Sequence, residues 1–517
     1  MLSKPSENNF KYACGTKSST INKTGEWRFM PAPERIKRLS PCRQDCLLDS
    51  DIPEWQEAVK DGRWEQAWQI MSRYNPFPAL TGYVCFSPCI ENCNRGRLDQ
   101  EIDIRSIERA IGEWRLEHYQ PPTAPREVKD QVAVVGSGPA GLSCAYYLAT
   151  AGYRVTVFES APQVGGMLAL GIPEYRLPRR VLQQEIKVLE EEGVNFITGR
   201  TLGKDISLNE LDKEFRRIFL ATGAWLSRKE NIPGGEEKGV CCALDFLSMI
   251  NTGRHPDIKD PVVVIGGGNA AIDSARSALR MNGINNVSLI YRRSRAEMPA
   301  DPGEVEAAES EGVELIFNAL PREIETDADQ IQSVLLDQSK TNREGLVVDQ
   351  SRSFRKACGS VIMAIGQEAD HSVFEKSDRE IELFAGGDLV SGPATVAEAI
   401  RAGRLAAYSI MASLGDFAEP ELFLPAEQPV LFEDLNLTAR VNLQLQHRQG
   451  EPVEEASRCL GCGTCNSCGI CYLFCPDMAV DWINNRYELN LDFCKGCGIC
   501  VQECPARALF MEGVGIK

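Results

Sequence analysis

Ten of the chain's 20 cysteines crowd between Cys459 and Cys504, and five more lie between Cys42 and Cys93. Eight of the later group read Cys465-x2-Cys468-x2-Cys471-x3-Cys475-Pro476 and Cys494-x2-Cys497-x2-Cys500-x3-Cys504-Pro505. Thiolates at that spacing, each run closed by Cys-Pro, form the pattern of a bacterial two-cluster ferredoxin, in which the fourth cysteine of each run ligates the other cluster. One 4Fe–4S cluster is therefore expected on Cys465, Cys468, Cys471 and Cys504. The other is expected on Cys494, Cys497, Cys500 and Cys475. Disulfide frameworks are a habit of small secreted domains, which this 517-residue chain is not. With four scattered histidines (His118, His255, His371 and His447), zinc–imidazole sites and Ser-His-Asp chemistry have little to work with.

A second kind of chemistry is written in glycine. Gly136-x-Gly138-x-x-Gly141 follows the apolar run QVAVV and opens an apolar helical stretch. Such a turn lets backbone approach a pyrophosphate at a helix N-terminus. Glu159 ends the next apolar run, 18 residues after Gly141, where an acid takes the ribose hydroxyls. The pattern recurs 130 residues later as Gly266-x-Gly268-x-x-Ala271 after PVVVI. There the second run ends in Tyr291-Arg292-Arg293 with no acid. Arginine at that place suits a 2′-phosphate, so NADPH is favoured over NADH, with NADH kept open.

These residues need elements to hold them. WQEAVKDGRWEQAWQIM (55–71) and IRSIERAIGEWRLEHY (104–119) carry apolar residues at helical period, with cysteines in the turns between. PPTAPREVKD (121–130) reads as a linker. The two glycine turns each sit in a strand–turn–helix–strand unit, and the second unit interrupts the first, which resumes at FAGGDLVSGPATVAEAIRAGRLAAYSI (384–410). The expected fold is multidomain α/β: a helical N-terminal iron–sulfur domain (1–125), an FAD-binding Rossmann-like domain in two parts (126–250 and 376–415), a nested NAD(P)H-binding insert (251–375), a connector (416–455) and a C-terminal ferredoxin-like α+β domain (456–517). A formal net charge of −17 argues against nucleic-acid binding, which needs a basic footprint. It suits docking onto a basic protein patch. No apolar run reaches 18 residues and the N-terminus has no apolar signal core, so a cytoplasmic protein without a membrane span is expected.

The chain resembles the small subunit of glutamate synthase and its relatives, over roughly residues 25–415. The resemblance is carried by PCRQDC (41–46), VCFSPCIENC (84–93), VGSGPAG (135–141), GIPEYRLPR (171–179), LATG (220–223), VIGGGNAAID (264–273), YRRSRAEMP (291–299) and AGGD (385–388). It implies an FAD held by Gly136, Gly138, Pro139, Ala140, Gly141, Glu159, Gly165, Gly166, Met167, Arg176, Thr222, Gly223, Gly387 and Asp388. It further implies that amides near Thr395 and Val396 face the flavin ring. NADPH would occupy Gly266, Gly268, Asn269, Ala270, Ala271, Arg292 and Arg293.

The N-terminal cysteines depart from that family's pattern, which has an additional CxxC before PCxxxC and holds two clusters. Glu34 and Lys37 stand at those positions here. The resemblance implies one cluster on Cys46, Cys85 and Cys89 with Glu108 as the non-cysteine ligand, which strands Cys42 and Cys93. The C-terminal module has a matching excess in Cys459-x2-Cys462 (RCLGCG), which the ferredoxin pattern does not use. We expect Cys459 and Cys462 to complete a cluster with Cys42 and Cys93, for four 4Fe–4S clusters in all. The competing readings are an unligated remnant, or zinc on Cys459 and Cys462 with one N-terminal cluster choosing among five cysteines. Cys14, Cys144, Cys241, Cys242 and Cys358 are left over. Cys241 and Cys242 are vicinal without a CxxC, a poor redox dithiol.

Together the motifs imply an NAD(P)H-dependent FAD- and iron–sulfur-containing oxidoreductase with its chemistry at the flavin and no catalytic side chain. Hydride would pass from NADPH to FAD, then single electrons through the clusters to a partner oxidoreductase subunit, in a hetero-oligomer. The alternatives are a standalone NADPH:ferredoxin oxidoreductase, a flavin that bifurcates between two acceptors, and a cluster-bearing scaffold or redox sensor.

Overall fold

The structure, a computed structural model, describes residues 23–28, 30–122, 129–228, 232–328, 330–343, 345–374, 382–416, 429–439, 448, 450–483 and 486–513. Cys14, His447 and much of the connector 416–455 lie outside the described residues. The chain divides into two compact units. One comprises Met1–Gly82, Ser87–His118 and Glu421–Lys517, the other Tyr83–Phe86 and Tyr119–Pro420.

The larger unit is built on two five-stranded sheets, all parallel. The first runs, edge to edge, Leu383–Ala385, Arg217–Leu220, Gln131–Val135, Arg154–Phe158 and Asn195–Ile197. The second runs Glu314–Phe317, Val287–Tyr291, Val262–Ile265, Ser360–Met363 and Val240–Cys242. Central strands such as VVVI at 262–265 are buried at every residue, as parallel strands covered on both faces must be. An antiparallel meander, Ala319–Asp327, Gln330–Asn342 and Gly345–Ala357, stands beside the second sheet. Its apolar residues Val334 and Leu336 join Val263 and Ile265 in one core.

Helix Pro139–Thr150 follows the first glycine turn and is buried at nearly every position, because helix Val396–Ser413 covers its outer side. The two approach so closely that a Cβ at Gly403 would sit 2.0 Å from the Ala140 carbonyl oxygen. Ser143 Oγ donates to the Ile400 carbonyl at 2.7 Å across the same contact. The returning segment at 384–410 therefore closes the first domain after the insert.

In the smaller unit the apolar period read across 55–71 is two helices, Ile52–Lys60 and Trp64–Met71, parted at Gly62, whose φ is +70°. Helix Ile104–His118 packs with them around Trp55, Val59, Ile70, Ile107 and Ile111. Cys42 and Cys89 fall inside the one-turn helices Pro41–Gln44 and Pro88–Glu91, rather than in turns. The ferredoxin-like part supplies two short helices, Ile470–Leu473 and Ile499–Gln502, and the hairpin Val480–Ile483/Arg486–Leu489. Its last strand, Leu509–Phe510, pairs antiparallel with Glu34–Arg35. Among the described residues no helix is long and apolar enough to cross a membrane.

Candidate functional site

Both glycine turns open into one cleft of the larger unit. Its lining includes Gly136, Gly138, Pro139, Ala140, Glu159, Gly166, Met167, Arg176, Thr222, Gly223, Gly387, Asp388, Thr395 and Val396 from the first domain. From the insert come Gly266, Gly268, Asn269, Ala270, Arg292 and Arg293. Gly141 lies behind the turn, where a Cβ would meet the Gly136 carbonyl oxygen at 1.9 Å, and Ala271 is wholly buried.

The turn fits a dinucleotide. Gly138 and Gly268 are the N-caps of helices Pro139–Thr150 and Asn269–Leu279. A Cβ at either glycine would meet nothing within 4 Å, so backbone faces open cleft where a pyrophosphate needs it. Glu159 is 6% exposed. Its Oε2 accepts from Ser137 N at 2.9 Å and Ser137 Oγ at 2.5 Å, and its Oε1 accepts from Ala161 N at 2.8 Å. Ser137 Oγ in turn accepts from Gly165 N at 2.9 Å. The acid at the strand end thus also braces the turn, through a serine that the GxGxxG spacing treats as a free position.

Other expected residues are held in ways sequence spacing does not announce. Arg176 lines the cleft, but its NH1 donates to both oxygens of Asp273, at 3.1 and 2.9 Å, and its Nε stands 3.2 Å from Glu304 Oε1. Burial lifts the Asp273 carboxyl to about 6, with Arg176 opposing. Thr395 caps helix Val396–Ser413, and its N–H donates to Glu398 Oε2 at 2.9 Å, so the cap consumes that amide. Asp388 accepts from Ala394 N at 3.2 Å, and burial raises its carboxyl to about 6. In the insert, Asn269 Oδ1 accepts from Asp301 N at 3.0 Å. Arg293 Nε is buried with no hydrogen-bond partner while its residue lines the cleft, a donor suited to a phosphate oxygen. Trp225, Arg228 and Arg200 also line the cleft; no motif marks them.

The smaller unit gathers the sulfurs. Cys465, Cys468, Cys471 and Cys504 line one hollow with Tyr487 and Val480. Burial and the neighbouring sulfurs of Cys465, Cys468 and Cys504 push the Cys471 thiol to about 12. Burial does the same to Cys500, with Cys494, Cys497 and Cys475 around it. These are the two crossed sets that the ferredoxin spacing demands. Ala479 N donates to Cys475 Sγ at 3.2 Å and Ala508 N to Cys504 Sγ at 3.3 Å, bonds that favour thiolate. Cys89 is buried within the helical core, and Cys46 and Cys93 pack against it. Glu108 Oε1 accepts from Asn75 Nδ2 at 2.7 Å and Thr81 Oγ1 at 2.8 Å, and burial raises its carboxyl to about 7. Cys85 falls in the chain stretch grouped with the larger unit. Of the leftover cysteines, Cys144 is a buried helix residue whose thiol burial pushes far up, and Cys241, in the edge strand of the second sheet, is raised to about 12. Neither is a nucleophile.

Two nested dinucleotide folds sharing a cleft define a flavin- and nicotinamide-dependent redox protein. The Pyridine nucleotide-disulphide oxidoreductase family matches residues 130–403, and the chain belongs to it. Residues 37–120 match the dihydropyrimidine dehydrogenase domain II 4Fe–4S family, and residues 464–509 match the 4Fe–4S dicluster domain. The chain thus joins an FAD/NADPH oxidoreductase domain to two 4Fe–4S domains. It is 37% identical to the NADP(+)-dependent formate dehydrogenase subunit beta of Moorella thermoacetica, over 72% of this chain and 59% of that one. It is 39% identical to the NADPH-Fe(3+) oxidoreductase subunit beta of Geobacter sulfurreducens, over 65% of this chain and 52% of that one. It is 31% identical to the Glutamate synthase [NADPH] small chain of Azospirillum brasilense, over 75% of this chain and 89% of that one. The chain therefore spans little more than half the length of the first two relatives.

Proposed function

We propose that the protein is the NADPH-oxidising, electron-transferring subunit of a larger oxidoreductase. The observation that carries this reading is the single cleft onto which both glycine turns open, in a chain that also gathers ferredoxin-type cysteines. Bound FAD supplies the conversion between a two-electron donor and one-electron carriers. The chain's own residues supply position. The amides that open helices Pro139–Thr150 and Asn269–Leu279 receive the two pyrophosphates. Glu159, fixed by Ser137 and Ala161, offers its remaining lone pairs to ribose hydroxyls. Arg292 and Arg293 take the 2′-phosphate and give the preference for NADPH. The crossed sets Cys465/Cys468/Cys471/Cys504 and Cys494/Cys497/Cys500/Cys475 hold two 4Fe–4S clusters, and Cys46, Cys89 and Glu108 are the smaller unit's ligands to a third. The acceptor is a catalytic subunit, or a ferredoxin, and the setting is the cytoplasm.

Anaerobic stopped-flow mixing with NADPH tests the reading. Flavin bleaching should outpace steady-state turnover, and cluster absorbance should fall after it. A flavin that NADPH leaves oxidised would exclude the proposal. Purification from the native host should bring down a stoichiometric catalytic subunit; a chain isolated alone and reducing free ferredoxin would favour the standalone reductase.

A further inference from the structure

Among the described cysteines of the smaller unit, those outside every cluster assigned above are Cys42, Cys93, Cys459 and Cys462. They are remote in sequence, with 366 positions from Cys93 to Cys459. In the smaller unit all four line one small cavity, walled by Pro41, Gln56, Ile104 and Leu460. We propose that Cys42, Cys93, Cys459 and Cys462 together ligate a 4Fe–4S cluster, the fourth of the chain, with half of its ligands drawn from each end of the sequence. This rests on the reading above for the other three clusters and adds a site to it.

Each sulfur has a polar group beside it. Ser40 Oγ lies 3.3 Å from Cys42 Sγ. Asn94 Nδ2 stands 3.3 Å from Cys462 Sγ, and Gly461 N donates to Cys459 Sγ at 3.4 Å. Backbone N–H groups of Ile102, Arg95 and Gly96 address Cys93. Cys93, Cys459 and Cys462 all lie near enough to Cys42 to act on its charge.

Tetrahedral zinc at about 2.3 Å from each sulfur requires sulfurs about 3.8 Å apart, whereas a cubane spreads its four thiolates more widely, so iron content against zinc content decides between the two.

The segment that delivers Cys459 and Cys462 is fixed, not dangling. Arg458 is 2% exposed. It donates to Glu455 Oε1 at 2.6 Å, Asp99 Oδ1 at 3.1 Å and the Gln100 carbonyl at 2.6 Å, while Arg95 donates to the Arg458 carbonyl at 2.9 Å. Glu455 accepts from Asp103 N at 2.8 Å. Beyond the pair, Arg38 N donates to the Gly463 carbonyl at 2.9 Å. The positions where the resembling family has its extra CxxC are occupied otherwise. Glu34 belongs to the strand paired with Leu509–Phe510, and Lys37 is bound to Asp51 and Glu54 at 2.5 and 2.6 Å.

The test is metal analysis and EPR of anaerobically purified full-length protein. Cys459→Ser/Cys462→Ser should lose about four irons and four sulfides per FAD and one EPR signal on reduction. The signals removed by Cys468→Ser or Cys497→Ser should remain. Cys42→Ser, which reaches the same cluster from the other end, must remove the same signal. Unchanged iron in the double variant, loss of zinc without iron, or different signals lost in the two variants would overturn the proposal. If the double variant loses its flavin as well, iron per FAD in Cys42→Ser decides by the same criterion. Flavin reduction by NADPH, recorded on the same samples, reports separately on the function proposed above.

Discussion

Replacing Arg176 by alanine removes the bidentate partner of Asp273, while Glu304 keeps its pairing with Arg276. The Arg176 and Asp273 side chains are only 8% and 5% exposed, so solvent screening does little for the residual charge. Breaking a buried pair by removing one partner costs about 3–5 kcal/mol. At about 2–4 °C per kcal/mol for a domain of roughly this size, Arg176→Ala should lower the melting temperature by about 6–20 °C. The loss should depend on pH with a definite sign. Asp273 already titrates near 6 in the folded protein, above its ordinary 3.8. The folded state therefore keeps a proton that the unfolded state releases, and stability present at low pH is lost as pH rises through about 6. A shift of about two units corresponds to about 3 kcal/mol. Without Arg176 the carboxyl moves higher still, so the penalty should be small at pH 5 and full at pH 8. Scanning calorimetry of the holoprotein at both values measures this, with flavin absorbance per chain as a second readout. Arg176→Met/Asp273→Leu should recover most of the loss. Melting unchanged at pH 8, with FAD lost, would refute the reasoning and make Arg176 a cofactor contact.

Gly403→Val would drive a side chain into the Ala140 carbonyl; overpacking of this kind costs about 1–3 kcal/mol, and the variant should melt lower and retain less FAD after gel filtration. Glu159→Ala strands the Ser137 and Ala161 donors, and flavin affinity measured by fluorescence should fall about 10- to 100-fold. Arg292→Ala/Arg293→Ala should raise the KM for NADPH about 10- to 100-fold and leave that for NADH nearly unchanged, since a lost charged contact to phosphate is worth about 1.5–3 kcal/mol.

The nested dinucleotide folds were legible in the sequence because their signals are local. An apolar strand, a glycine turn and an apolar helix lie within thirty residues of one another, and Glu159 falls at a fixed count from Gly141. The ferredoxin sets were legible for the same reason, as spacing specifies the crossed ligation. The break at Gly62 is local too, yet the flanking period runs through it and masks it. Arg176 was a different case: its motif marks the cleft, but its partner Asp273 is 97 positions away on the insert, and a pairing set by tertiary approach leaves no periodic trace. The meander Ala319–Asp327 to Gly345–Ala357 went unread because it carries no cofactor motif, and its outer strand is exposed at most of its positions. The neighbourhood of Cys42 and Cys459 was accessible only through the CxxC missing from the resembling family's N-terminal pattern and the bookkeeping of leftover cysteines.

The bond from Arg95 to the Arg458 carbonyl has a consequence for biosynthesis. A ribosome adding 5–20 residues per second needs roughly 20–70 s to travel the 366 positions from Cys93 to Cys459. During that interval the helical N-terminal segment exists without the Arg458 and Glu455 that complete its buried charges, and both nucleotide-binding domains emerge in between. Less than the first quarter of the chain therefore emerges well before the partners of its buried charges. A message cut short before codon 455 would leave Arg95 and Asp99 without the Arg458 that joins their buried charge cluster.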